Sequence, residues 1–555
     1  MTTSRAEEVS EAIEAAAEAV FAARRPDGVF DYSEDGLTST LSTVGAVSAL
    51  HFADPRGSAD LIERGVAWLR ERQSDTGGWS MVPGGADEPG PTAVASATLQ
   101  LVAPESAADA VAAGQRWMLD HGGLEGIPHP EVTAWCRQFY SFVGWLRTSD
   151  MRRFPLELAV LRGPFLRLFD LRAPMVCALG LAQAATREQT PLTRLLAKAG
   201  TPGALAIIRE VYEHEGSTGG WCEDAWVTGL ICGGLARAGL GADMVAGAVR
   251  WFREQVNEDG SWNSGPLGLT WSMYAAGGLL EAGYATDERL LATREVFLRE
   301  QQHRPFTAFG CPPGFWGWSG KGWPASLETG EIMSALARFP GELQRPALES
   351  GARWLFAQQD SRGSWGLCVR NTKVANSGPC PHMTAQSLDG LLDSGVPAAD
   401  RRIRRAVRWL ASAQRPDGSF ESVWYRMHTA GTSAVLQTLV RAGAGGSDAA
   451  RRAREWLVRA QLPDGSWGTG GDEPGTVEET AWAVGALLVA GGGADGAEVR
   501  RGVRWLLDAR RPDGSWSAAP VNEYVRHVSR YSNRALANGL ALRALARYRD
   551  AAGRS

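Results

Sequence analysis

A short turn ending in Gly-x-Trp, Gly-x-Phe or Gly-Gly-Trp recurs along this 555-residue chain and constrains its fold more than any other feature. The first copies are Arg25-Pro-Asp-Gly-Val-Phe30, Gln73-Ser-Asp-Thr-Gly-Gly-Trp79, Ser217-Thr-Gly-Gly-Trp221 and Gln255-Val-Asn-Glu-Asp-Gly-Ser-Trp262. Later copies are Gln359-Asp-Ser-Arg-Gly-Ser-Trp365, Gln414-Arg-Pro-Asp-Gly-Ser-Phe420, Gln461-Leu-Pro-Asp-Gly-Ser-Trp467 and Arg511-Pro-Asp-Gly-Ser-Trp516. Pro fixes φ, Asp bonds the following backbone, and Gly accepts φ > 0, so each copy reads as a tight turn. Upstream of several copies runs an amphipathic helix with its own Trp, as in Ala248-Val-Arg-Trp251, Ala406-Val-Arg-Trp409 and Gly502-Val-Arg-Trp505. Downstream comes a helix of small residues opened by Ser or Thr, such as Thr329-Gly-Glu-Ile-Met-Ser-Ala-Leu336 or Thr480-Ala-Trp-Ala-Val-Gly-Ala-Leu487. The unit is helix, turn, helix, and its C-terminal copies recur at roughly fifty residues, a repeat period. Such units bury their faces only against neighbours, in an open solenoid or a closed α/α barrel. No strand-like alternation of useful length appears, so the predicted class is all-α.

The chain carries 22 tryptophans. Burying one indole removes about 150–250 Å² from water, which at about 25 cal/mol per Å² stabilises a turn by several kcal/mol gross. Trp79, Trp221, Trp467 and Trp516 are therefore expected to be staples between outer helices, with the upstream Gln bonding backbone groups. The balance of 57 basic and 62 acidic residues, with no basic run, argues against a nucleic-acid partner. Seven cysteines without C-x-x-C spacing read as free thiols of a reducing, cytoplasmic compartment. Met1 to Ala19 is acidic and Ala-rich, without an apolar signal core. The longest apolar region, Phe154 to Ala185, is interrupted by Arg162, Arg167, Asp170 and Arg172, so membrane association is expected to be peripheral at most.

The Gln-x-x-x-(Asp)-Gly-Ser-Trp turns joining helical hairpins resemble the QW motifs of squalene-hopene and oxidosqualene cyclases, within the class II terpene cyclase superfamily. Pro83-Gly-Gly-Ala-Asp-Glu-Pro-Gly-Pro-Thr92 and Gly475-Thr-Val-Glu-Glu-Thr-Ala-Trp-Ala483 are similar to further family segments, and the resemblance covers nearly the whole chain. It implies two α/α barrels with a hydrophobic cavity between them. One would comprise residues 1–35 and 266–555 and carry the acid motif; the other, 36–265, would be inserted. The resemblance also implies an isoprenoid substrate and a monomer or homodimer.

Family chemistry depends on Asp-x-Asp-Asp-Thr-Ala, whose middle Asp protonates an alkene. Here the matching segment is Gly322-Trp-Pro-Ala-Ser-Leu-Glu-Thr-Gly-Glu331, with Ala325, Leu327 and Glu328 at the acidic positions. The donor position itself is Leu327, which leaves Glu328 as the noncanonical acid, with Glu331 one turn on and His382 as further candidates. A supporting histidine of hopene cyclases would fall on Gln386 or His382. Ring faces stabilise migrating carbocations, and the frame offers Trp316, Trp318, Trp323, Trp271, Phe420, Trp424 and Tyr425 for the cavity wall. Arg526, Arg530 and Arg534 would share one face if helical, and with Lys321 and Lys373 they could hold a diphosphate, with Mg2+ only in that case. No other cofactor and no metal set is evident. The twin Gly85-Ala-Asp-Glu-Pro-Gly90 and Gly471-Asp-Glu-Pro-Gly475 read as turn geometry. Three functions remain: a cyclase with an altered acid, an isoprenoid-binding protein of the same fold whose chemistry has lapsed, and a protein prenyltransferase-like enzyme.

Overall fold

The computed structural model describes residues 3–30, 38–469, 473–525 and 528–554. Helices Gly268–Ala282, Ser326–Leu336, Pro381–Asp393, Thr429–Arg441, Val477–Leu487 and Arg534–Gly553 each pack on the next, and the last returns to the first. This inner ring is closed. Its helices are buried around most of their circumference; every residue of Val477–Leu487 is buried. Small residues permit the approach: a Cβ on Gly390 would stand 2.4 Å from the Gly330 carbonyl oxygen across the helix pair. Outside the ring lie Glu288–Arg299, Arg345–Gln358, Arg401–Ser412, Asp448–Arg459 and Ala497–Asp508, with Thr3–Ala22 packed on the last inner helix. The outer helices are one-sided: Arg401–Ser412 buries Ile403, Ala406 and Leu410 and turns its arginines outward.

A second inner series runs through Pro130–Phe142, Pro89–Val102, Thr40–Ala53, Ala225–Ala238 and Ala173–Thr186 in order of packing. Side chains bridge its two ends, where Arg172 pairs with Glu131. The architecture is thus two α/α barrels.

The repeated turns are built alike. Trp467 donates its backbone N–H to Thr480 Oγ1 at 3.0 Å and its indole N–H to the Leu457 carbonyl at 2.7 Å. Trp79, Trp262, Trp316 and Trp365 make the same two bonds to their own threonine and preceding helix. Gln461 Nε2 donates to Gly465 O and Glu498 O, both at 2.9 Å, tying the turn to the next outer helix. Trp79, Trp221, Trp467 and Trp516 are fully buried.

One segment departs from the helical expectation. Asn522–Val525 pairs antiparallel with Val528–Tyr531. Valine and tyrosine favour the pleated geometry, and the strands are too short to show alternation in sequence. Arg530 therefore lies on a strand and Arg534 opens the last helix, so the two share no helical face. Arg526 lies outside the described residues, as do Gly471 and Asp472 of the second twin sequence. In the first twin, Asp87 accepts hydroxyl bonds from Ser74 and Thr76, a turn-building role. Among the described residues, no helix is long and apolar enough to cross a membrane.

Candidate functional site

Between the two barrels lies a cavity of about 220 Å³. The closed ring contributes Thr270, Trp271, Trp318, Trp323, Leu327 and Glu328, all at or just before inner-helix N-termini. Trp424, Tyr425 and the hairpin residues Glu523, Tyr524 and Tyr531 add to that side. Facing them from the other barrel are Trp135, Leu171, Arg172, Met175, Asp224 and Trp226. The wall is aromatic: Trp135 meets Trp226 edge-on at 5.5 Å, and Trp271 meets Tyr531 edge-on at 6.2 Å.

Glu328 is the polar centre on the closed-ring side. It occupies the first turn of Ser326–Leu336 and is 6% exposed. Thr270 Oγ1 donates to its Oε1 at 2.8 Å, while Oε2 is buried with no hydrogen-bond partner. Burial pushes its pKa up to about 7, against the lowering influence of the Thr270 bond. A carboxyl with that pKa holds its proton near neutrality in a water-poor site, and its bare oxygen can present that proton to a bound molecule.

The other acid candidates lie elsewhere. Glu331 does not line the cavity; its Oε1 accepts from Gln386 at 3.2 Å and its Oε2 lies 3.7 Å from Arg543. His382 is buried against Tyr425 with Nδ1 on Ser422 Oγ, and desolvation lowers its pKa to about 3. A neutral imidazole has no proton to give as an acid at pH 7. Gln386, the other residue considered for the supporting histidine, reaches Tyr274 and Glu331 rather than Glu328.

Among the aromatic candidates, Trp271, Trp318, Trp323, Trp424 and Tyr425 line the cavity, as does Leu327. Trp323 is pinned from across the interface, its indole N–H donating to Glu215 at 2.6 Å. Trp316 and Phe420 do not line it. Both occupy the staple position of their turns, fully buried, and bond Thr329 and Thr432 through their backbone N–H groups. The basic candidates are dispersed. Lys321 sits in a separate cleft 3.6 Å from Glu223, Lys373 is exposed, and Arg530 lies between Glu473 and Glu523. Neither these nor Arg534 line the cavity.

Sequence reasoning missed Trp135, Trp226, Thr270, Tyr531 and the Arg172–Glu131 pair. Trp271 came from the family frame as a residue of an inner helix. The structure places it in the first turn of Gly268–Ala282, and Trp135 and Trp226 likewise stand early in the inner helices Pro130–Phe142 and Ala225–Ala238.

Comparison with known proteins agrees with this architecture. The squalene-hopene cyclase N-terminal domain model matches residues 13–168 and the C-terminal domain model residues 370–550, together more than half of the chain. The squalene–hopene cyclase of Alicyclobacillus acidocaldarius is 32% identical over 137 residues. That match spans 22% of this chain and 22% of the relative's length. Among solved structures, ent-copalyl diphosphate synthase from Streptomyces platensis superposes with a TM-score of 0.55 at 20% identity, covering 98% of this chain and 99% of that one. On the matches to both domain models, and with two α/α barrels facing one aromatic cavity, the chain belongs to the squalene-hopene cyclase family of the class II terpene cyclase superfamily.

Proposed function

We propose that the chain is a class II-type terpenoid cyclase in which Glu328 supplies the initiating proton. The observation that carries this reading is a buried carboxyl with one bare oxygen, its pKa raised to about 7, set in an aromatic cavity. The proton passes from Glu328 Oε2 to an alkene carbon or an epoxide oxygen, leaving a carboxylate and a tertiary cation. Internal alkene π pairs then form ring C–C bonds while the cation advances between the faces of Trp271, Trp318, Trp323, Trp424 and Tyr531. Loss of a proton or capture of water ends the sequence, and solvent reloads the carboxylate. A lone carboxyl is a weaker donor than a paired one, so the substrate is one that ionises more easily than an isolated alkene, such as an epoxide or an activated alkene.

Leu327 faces the cavity at the position where the family resemblance puts the donor, and this favours a second reading, an isoprenoid-binding protein without turnover. Mass-spectrometric assay of the wild type and Glu328→Gln with squalene, epoxysqualene, prenyl diphosphates and prenylated aromatics separates the two. Cyclised product from the wild type, reduced about 10²-fold or more in the variant, supports the cyclase. Binding without product from any substrate supports the alternative.

A further inference from the structure

The cavity has a second polar pole, on the barrel opposite Glu328. Arg172 and Glu131 pair there, with only 17% and 15% of their side chains exposed, in a wall that is otherwise largely apolar. Arg172 donates Nε to Glu131 and Nη1 to Ser377 Oγ, and its Nη2 has no bonded partner among the described residues. Behind the pair, Asn376 donates Nδ2 to Glu131 at 3.1 Å, while its Oδ1 is buried and unpartnered. Trp135, one helical turn beyond Glu131, carries the pair into the aromatic wall through its contact with Trp226.

An ion pair held out of water costs desolvation free energy, and three elements converge to hold this one: the Pro130–Phe142 helix, the segment before Ala173, and the 376–377 loop. The pole offers Arg172 Nη2 as a donor and the Glu131 carboxylate, each of whose oxygens accepts one bond and keeps a lone pair, as an acceptor. That is the complement of a hydroxyl, which both donates and accepts. A diphosphate only accepts. It would meet a guanidinium already neutralised by Glu131, with Asp170 close by and no second cation among the described cavity-lining residues. The lining otherwise carries the carboxyls of Glu131, Asp224, Glu328 and Glu523.

We propose that Arg172 and Glu131, the latter held from behind by Asn376, form the head-group site for a hydroxyl-bearing isoprenoid, an alcohol or phenol, and that the cavity discriminates against diphosphates. This rests on the reading that the cavity holds an isoprenoid. The tail then extends across the barrel interface towards Glu328.

Tryptophan fluorescence tests it by titration with geranylgeraniol, its diphosphate and the matching C20 hydrocarbon. The wild type should bind the alcohol about tenfold more tightly than either other probe. Arg172→Met should lose about tenfold for the alcohol and leave the hydrocarbon unchanged. Glu131→Gln should raise diphosphate affinity about tenfold, a gain that a damaged fold cannot produce. Tightest wild-type binding of the diphosphate overturns the head-group assignment. So does equal binding of alcohol and hydrocarbon, an equal loss for all three probes in Arg172→Met, or no diphosphate gain in Glu131→Gln. Absence of binding by every probe instead sinks the isoprenoid reading on which the assignment rests.

Discussion

At the scale of single residues, the decisive contact is the hydroxyl of Thr270 on Glu328 Oε1, which leaves Oε2 as the oxygen without a partner. That bond lowers a pKa that burial raises to about 7. The acid form drives the proposed reaction, so the rate should be level below about pH 7 and fall as pH rises through it. Thr270→Val removes the bond. The carboxyl pKa then rises further, the falling limb moves to higher pH, and turnover drops about tenfold because the carboxyl loses its orientation. Thr270→Ser should restore both, as read from pH–rate profiles. A Val variant with the wild-type profile would show that Thr270 has no part in placing the proton. Glu328 was legible in the sequence because Gly322 to Glu331 keeps the family frame around it. Thr270 was not, since 58 residues separate it from Glu328 and no spacing rule connects a helix start to a carboxyl on the next inner helix.

At the scale of elements, the repeated turn is a cooperative staple. Its indole fills the space between helices, its threonine and glutamine satisfy backbone groups, and its glycine has φ of +95° at Gly465. A Cβ there would stand 2.9 Å from the Arg501 carbonyl oxygen. We expect Trp467→Ala to cost about 3–5 kcal/mol through the cavity it leaves. Thr480→Val should cost about 1–3 kcal/mol by stranding the Trp467 N–H. Urea unfolding measures both; a loss below about 1 kcal/mol for Trp467→Ala would remove the staple from the account of stability. The turns were legible because all their chemistry is local. The same periodicity held the answer for Trp316 and Phe420, which occupy the staple position. They were placed on the cavity because the family frame outweighed their position in the repeat. The hairpin at 522–531 stayed hidden because four-residue strands carry almost no pattern.

At the scale of the molecule, periodicity alone left open whether the helical units form a solenoid or close, and the family resemblance implied two closed barrels. Closure rests on Arg534–Gly553 meeting Gly268–Ala282, helices far apart in the chain whose small residues announce close packing but not the partner. The interface between barrels is held partly by buried carboxyls, and these set the pH behaviour. At that interface burial raises Asp170 to about 7 and Glu215 to about 8, and within the closed ring it raises Glu478 to about 7, besides Glu328 on the cavity wall. Their folded pKa values lie above the unfolded ones, so their contribution is complete below about pH 4 and is lost as pH rises through 7 to 8. His382 and His214 act oppositely. Desolvation holds them at about 3 and about 4, and their contribution is present above the unfolded value of 6.5 and lost as pH falls towards those values. Between pH 6.5 and 8.5 only the carboxyl effect remains among these groups, so unfolding midpoints should fall across that window. Glu215→Gln should flatten the fall, and an unchanged slope would mean that Glu215 ionises normally in the fold.

The central claim is that Glu328 hands a solvent-derived proton to an isoprenoid in the inter-barrel cavity. Its most direct test is to run the reaction in D2O, with a substrate found active in the product assay, and to weigh the product. With an alkene as the initiating group, the wild type should give a cyclised product with one carbon-bound deuterium from the initiating step, and Glu328→Gln, folded and still able to bind, should give about 10²-fold less. An unlabelled cyclised product, after allowance for exchange of hydroxyl hydrogens, would contradict proton-initiated chemistry at carbon. Labelled product from the variant at the wild-type rate would take that chemistry away from Glu328.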